Sequence, residues 1–223
     1  MAPKSKEKSS HLSAAQQVAE QHIRDSIIRG SLAPGAHLKE SRLAEELGVS
    51  RFHVREALRF LQADGLVESV PYKGNFVRRF SQRDVVELFS VRGGLEEVAV
   101  RQMIPRLTDD MVEAFKETVV EMERLEKAGD LTGSAEMDLQ FHRLICEFSG
   151  NRRLLEMWES LAHHVKLFLF MEKSGYGVDT AYVLTHLDLI DAMEQRDVAL
   201  AEAHVRIHLN GGMKYLLENI FMD

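Results

Sequence analysis

The chain has 223 residues, 45% hydrophobic and 28% charged, which is enough to bury one large core or two modest ones and excludes a disordered chain. Its longest apolar stretch, Val165 to Met171, is broken by Lys166 and is far short of the roughly 20 residues of a bilayer span, while the single cysteine, Cys146, excludes an intrachain disulfide and a thiolate metal cluster. The net charge of −7 is uneven: residues 1–80 carry 13 Lys+Arg against 9 Asp+Glu and residues 81–223 carry 15 against 26, a basic head on an acidic body in which only the head suits phosphate.

Met1 to about Ser10 is rich in Lys and Ser without periodicity, so residues 1–11 read as a mobile tail with no signal-peptide hydrophobic region. A cytoplasmic chain without membrane contact is expected. Leu12, Ala15, Ala19, Ile23 and Ile27 form one helical stripe that ends at Gly30, before the turn Pro34-Gly35. A short second helix from Ser41 to Leu47 turns Leu43, Ala44 and Leu47 inward and stops at Gly48. Ser50 can cap a third helix, in which Val54, Ala57, Leu58 and Leu61 have the spacing of a buried face and Gly65 supplies the stop. The opposite face holds Phe52, Arg55, Glu56 and Arg59, with Arg51 at the open N-terminal end. Two short helices around a Gly-containing turn have helix-turn-helix geometry. Leu66 to Val70 and Phe76 to Phe80 then read as strands around Pro71-Tyr72-Lys73-Gly74-Asn75, a wing with a cationic tip.

Ser81-Gln82-Arg83-Asp84 resembles a capping box, which sets the domain boundary near residue 80, with a head over 12–80 and a body over 81–223. The body shows no strand pattern and six helical segments, 82–104, 109–128, 134–148, 152–173, 180–196 and 198–220, so the fold is mainly α: a winged helix-turn-helix followed by an antiparallel helical bundle. Several polar residues fall on its apolar stripes. Asp138 and His142 share the face of Phe141 and Ile145; His186 lies with Val183, Leu187 and Ile190; His208 lies with Ala201 and Val205. Three inward imidazoles and a carboxylate from three helices can surround a divalent cation, although any one such histidine is more often a satisfied core residue. Arg92 sits on the stripe Val85, Leu88, Leu95, Ala99 and needs an anion there, either Glu96 four residues on or a bound ligand.

The stretches Gly30 to Leu38, Leu43 to Arg51 and Val54 to Leu58 closely resemble the GntR family of bacterial regulators. Val91-Arg92 with Glu96, Asp138 to His142, His186, Arg196-Asp197 and Ala201 to Leu209 resemble the FadR-type ligand-binding domain of that family, called FCD. The resemblance spans roughly residues 12–221 and implies a homodimer that binds a short pseudo-palindromic operator in double-stranded DNA, as a repressor, with binding modulated by a small carboxylate. One departure stands in the reading head: Phe52-His53 follows Ser50-Arg51 where the family usually has Thr-Pro.

On that reading Ser41, Ser50, Arg51, Phe52, His53, Arg55, Arg59, Lys73 and Gly74 form the DNA-facing set. Arg51 and Arg55 can each make bidentate bonds to guanine O6 and N7, with pairing to Glu56 as the alternative, and Phe52 can meet a thymine methyl or pack on the wing. Ser41, Ser50 and Lys73 suit phosphate, while Gly74 permits close approach of the wing tip. The resemblance also makes Asp138, His142, His186 and His208 metal ligands, for zinc first and nickel, iron or manganese next, and makes Arg92 a clamp for the effector's carboxylate. A regulator that senses the ion alone and a metal-dependent enzyme are the competing functions; no general base or nucleophile motif accompanies the latter.

Overall fold

The computed structural model describes residues 14–176 and 180–221, and the side chains of these outside 172–184. The expected tail and Leu12 of the first stripe lie outside the described residues, and the side chain of Val183 on the His186 stripe lies outside the described side chains. The chain divides after Arg78 into two compact units.

In the first unit, α1 (Ala14–Ile28) buries Ala19, Ile23 and Ile27 on the expected stripe and adds Ile28. α2 (Glu40–Leu47) begins one residue before the expected Ser41 and ends on Gly48 at φ +65°, a left-handed conformation that glycine adopts without steric cost. α3 (Arg51–Ala63) starts after Ser50, whose Oγ accepts from the His53 N–H at 3.3 Å, and it buries Val54, Ala57, Leu58 and Leu61. Full burial contributes roughly 1.5–3 kcal/mol for each valine or leucine, so this face anchors the helix against α1 and turns the other face outward.

The wing is a three-stranded antiparallel sheet in the order β1, β3, β2, where the sequence pattern predicts a two-stranded hairpin. β2 (Val67–Val70) pairs with β3 (Gly74–Val77), from Val67 opposite Val77 to Val70 opposite Gly74. The second strand thus lies earlier than the expected Phe76 to Phe80, and the turn explains why. Lys73 N–H bonds the Val70 carbonyl at 3.0 Å and Tyr72 takes φ +64°, so the reversal is complete within Pro71-Tyr72-Lys73 and pairing resumes at Gly74. β1 (His37–Leu38) joins the other edge of β3 with His37 opposite Phe76, their rings stacked at 4.7 Å. Two residues are too few for an alternating pattern to register in sequence.

The second unit is an all-α bundle among the described residues. α4 (Gln82–Met103) opens on the expected capping box, Ser81 and Asp84 exchanging bonds, and runs unbroken through Gly93-Gly94. α5 (Asp109–Lys127) follows a Thr108 cap. α6 (Leu131–Phe148) starts three residues before the expected 134 because Asp130 caps it, accepting from the Gly133 N–H at 3.0 Å. α7 (Arg152–Tyr176) and α8 (Thr180–Glu194) come next. α8 stops short of the expected 196 because Arg196 takes φ +56° and reverses the chain into Asp197, the cap of α9 (Val198–Asn219). α5 packs on α6, α6 on α7, α4 on α9, and α8 on both α5 and α9, around a core that includes Phe89, Phe115, Phe141, Trp158, Ile190 and Val205. No described helix is long and apolar enough to cross a membrane.

Candidate functional site

Of the set expected to face DNA, all but His53 stand in solvent. α3 exposes Arg51, Phe52, Arg55 and Arg59, Phe52 with 63% of its surface uncovered. Ser41 is exposed on α2, Ser50 stands just before α3, and Lys73 and Gly74 are exposed at the wing tip. His53 is half-buried, its Nδ1 3.1 Å from Ser50 Oγ, so the residue that replaces the family's proline extends the cap of α3. Gly74 has φ +102°, a conformation that favours glycine, and a Cβ there would come within 2.9 Å of His37 Nε2. Two of the arginines are already engaged. Arg59 donates to Glu56 at 3.1 Å. Arg55 does not pair with Glu56 by hydrogen bond but grips both carboxylate oxygens of Glu40, at the start of α2, over 2.8–3.2 Å. Solvent-screened pairs of this kind are weak, so both guanidinium groups can exchange partners.

The second unit hides its polar cluster. α6 supplies Asp138 and His142, α8 supplies His186 and α9 supplies His208, all buried, and one ligand atom from each lies within 4.8 Å of all the others. His142 Nε2 is 3.0 Å from His208 Nε2 and 3.4 Å from Asp138 Oδ1, which is in turn 3.7 Å from His186 Nε2. The edge of a tetrahedron built on zinc–nitrogen bonds of about 2.0–2.1 Å is about 3.3 Å, so these separations fit the coordination shell of one small cation. The rings are also held from behind. Glu96 Oε2 lies 2.8 Å from His142 Nδ1 and Thr185 Oγ1 lies 2.8 Å from His208 Nδ1, leaving Nε2 of each ring to face the cluster. Nitrogen and oxygen donors without thiolate suit a borderline divalent ion.

Of the other histidines on inward stripes or α7, His204 is half-buried outside the cluster, and so are His163 and His164. The expected company of His186 needs one correction. Leu187 is 40% exposed, and the buried face of α8 runs through His186, Leu189, Ile190 and Met193, because one residue turns a helix by about 100°.

Arg92 is 1% exposed, and its Nε donates to Glu96 Oε1 at 2.7 Å. The Trp158 indole donates to the same oxygen at 2.9 Å. Glu96 is therefore a hub for three nitrogens, a role that its spacing from Arg92 only half discloses, since His142 and Trp158 lie far along the chain. Burial alone would raise the Glu96 pKa, but the charges of Arg92 and His142 and their hydrogen bonds hold it down to about 2. Burial opposes charge on His142 too, yet Glu96 outweighs it and raises that imidazole. His208 is pushed well below the usual range by burial and by its neighbours His186 and His142.

Residues 15–77 match the gntR family of bacterial regulatory proteins, and residues 87–211, more than half of the chain, match the FCD domain. The protein belongs to the GntR family. It is similar to the probable D-xylose utilization operon transcriptional repressor of Paenarthrobacter nicotinovorans, 32% identical over 84% of either chain. It is also similar to the transcriptional repressor RspR of Escherichia coli, 24% identical over 84% of this chain and 82% of that one. A solved GntR regulator from Rhodococcus sp. RHA1 superimposes with a TM-score of 0.78 at 25% identity, covering 93% of this chain and 99% of that one. The chain is accordingly a DNA-binding transcriptional regulator and not an enzyme, with a winged helix-turn-helix followed by an FCD domain.

Proposed function

We propose that this regulator is a cytoplasmic homodimeric repressor that binds a pseudo-palindromic operator and changes its affinity when a small organic acid binds beside a divalent metal ion in the FCD domain. The observation that carries the reading is the convergence of Asp138, His142, His186 and His208 within 4.8 Å in a buried core. Those four side chains would hold the ion, zinc before nickel, iron or manganese. A bound ion supplies a Lewis-acidic anchor for a carboxylate.

Arg92 supports the anionic character of the ligand, since it is a buried guanidinium in the same bundle, to be shared between Glu96 and the effector's carboxylate. In the head, Arg51 and Arg55 read guanine in the major groove and Phe52 meets a thymine methyl. Ser41, Ser50, His53, Arg59 and Lys73 fix the register on phosphates, and Gly74 lets the wing tip close on the backbone. The effector switches the protein only to the extent that its affinity differs between DNA-competent and DNA-incompetent arrangements.

Selection of bound sequences from a random duplex library, with and without chelation, tests the reading. A short two-fold-symmetric consensus is expected, and the recovered operator then serves to screen organic acids for release. Enrichment of asymmetric sites alone would overturn the dimer, and operator affinity indifferent to every acid and to metal would overturn the switch. A second reading, in which the ion itself is the signal, draws on the pairing of Arg92 with Glu96, which already answers the buried guanidinium. It expects chelation alone to change operator affinity as much as any acid does.

A further inference from the structure

We propose that Glu96 is the positioning residue of the buried cluster: one carboxylate whose Oε2 holds the His142 ring with Nε2 toward Asp138 and His208, while its Oε1 gathers Arg92 and Trp158. The proposal rests on the metal reading above and adds to it a residue outside the four ligands.

The geometry forces the assignment. A guanidinium Nε–H and an indole N–H can only donate, and both meet Oε1, at 2.7 and 2.9 Å. A carboxylate offers nothing but acceptors, so Oε2, at 2.8 Å from His142 Nδ1, accepts a hydrogen bond from the proton on that nitrogen. With Nδ1 protonated, a neutral His142 carries its lone pair on Nε2, the atom 3.0 Å from His208 Nε2 and 3.4 Å from Asp138 Oδ1. The guanidinium beside Glu96 and the burial of the site, with Arg92, Glu96, Asp138 and His142 all at 1% exposure or less, keep the carboxylate from trading this partner for bulk water.

A glutamine at position 96 has nearly the same shape and the opposite instruction. Its amide oxygen is drawn to the two obligate donors, Arg92 and Trp158, which puts its NH2 group against His142 Nδ1. That nitrogen must then accept, the ring takes the other tautomer, and an N–H from Nε2 points into the cluster where a ligand lone pair is needed. The substitution also leaves the buried Arg92 charge without its counter-ion, so the body loses stability along with the metal, while the DNA-reading unit carries neither lesion.

The test compares full-length wild type with Glu96→Gln. Zinc affinity by competition with a chromophoric chelator should fall about 10–100-fold in E96Q, the loss typical of removing a partner that orients a metal-bound histidine. Folded E96Q should keep the helical circular dichroism and the non-specific duplex binding of the wild type, with a lower unfolding temperature for the body from the unpaired Arg92. Trp158 is the only tryptophan, so its fluorescence reads the hub directly and should respond to zinc in the wild type. In zinc-loaded wild type, nitrogen-15 NMR should also show a His142 Nδ1 proton shifted downfield and slow to exchange, a measurement that stands even where E96Q fails to fold. E96Q that binds zinc within threefold of the wild type, or a His142 Nδ1 that carries no protected proton in loaded wild type, would overturn the role of Glu96. Wild type that takes up no zinc is a different result: it removes the metal reading itself and this proposal with it.

Discussion

The two units use the same residue types in opposite ways. In the head, Arg55 and Arg59 stand in water against Glu40 and Glu56; in the body, Arg92 meets Glu96 with both side chains at 1% exposure or less. The head's pairs are screened and exchangeable, which suits the role proposed for that surface, trading them for bases and phosphates. The body's pair is desolvated and tied to His142 and Trp158, so it fixes geometry, and loss of either partner leaves a buried charge behind. Position in solvent, not residue identity, separates the proposed recognition surface from the proposed sensing core.

Substitutions that strike one unit and spare the other would sharpen that division. The largest effect is expected from His208→Ala, which should lower zinc affinity by more than about a hundredfold and abolish the response to effector while operator binding by the metal-depleted protein is kept. Loss of operator binding along with the metal would break the division, and chelator competition beside a gel-shift assay reads both. Arg51→Ala should come next, costing about 1–3 kcal/mol of discrimination at one base pair in each half-site without changing metal content. Lys73→Ala should weaken binding evenly across sequences and reduce the slope of log affinity against log salt by about 1 per head, as read by fluorescence anisotropy. Ser50→Ala is the mildest, removing the cap of α3 and destabilising the head by about 1 kcal/mol in thermal unfolding, with the body's transition unmoved.

What could be read from the sequence follows the range of the interactions involved. The face Val54, Ala57, Leu58, Leu61 and the pair Asp138 and His142 are set by helical periodicity, which is local, and both are found where the spacing puts them. The caps of Ser50 and Ser81 reach three residues and were equally plain. By contrast, β1 exists only because His37 finds Phe76 across the fold, and Arg55 finds Glu40 rather than its helix neighbour Glu56 because the turn between α2 and α3 folds one helix onto the other. The link from Glu96 to His142 joins α4 to α6, and nothing in the spacing of either helix specifies it. Leu187 shows the reverse case: an apolar residue beside His186 reads as core, yet the helix turns it outward.

The grip of Arg55 on Glu40 has a consequence for how the head travels along DNA. Glu40 acts as a counterion carried by the protein itself, neutralising a guanidinium that would otherwise cling to any phosphate. With Arg55 in its proposed place against DNA, the head off its operator is expected to hold the duplex with less charge than a count of arginines suggests and to slide more readily. A guanine offers Arg55 its O6 and N7, a fork of two acceptors in place of the two carboxylate oxygens. On the base-reading role proposed for Arg55, residence time depends on sequence at the very contact where net charge would have made it indiscriminate.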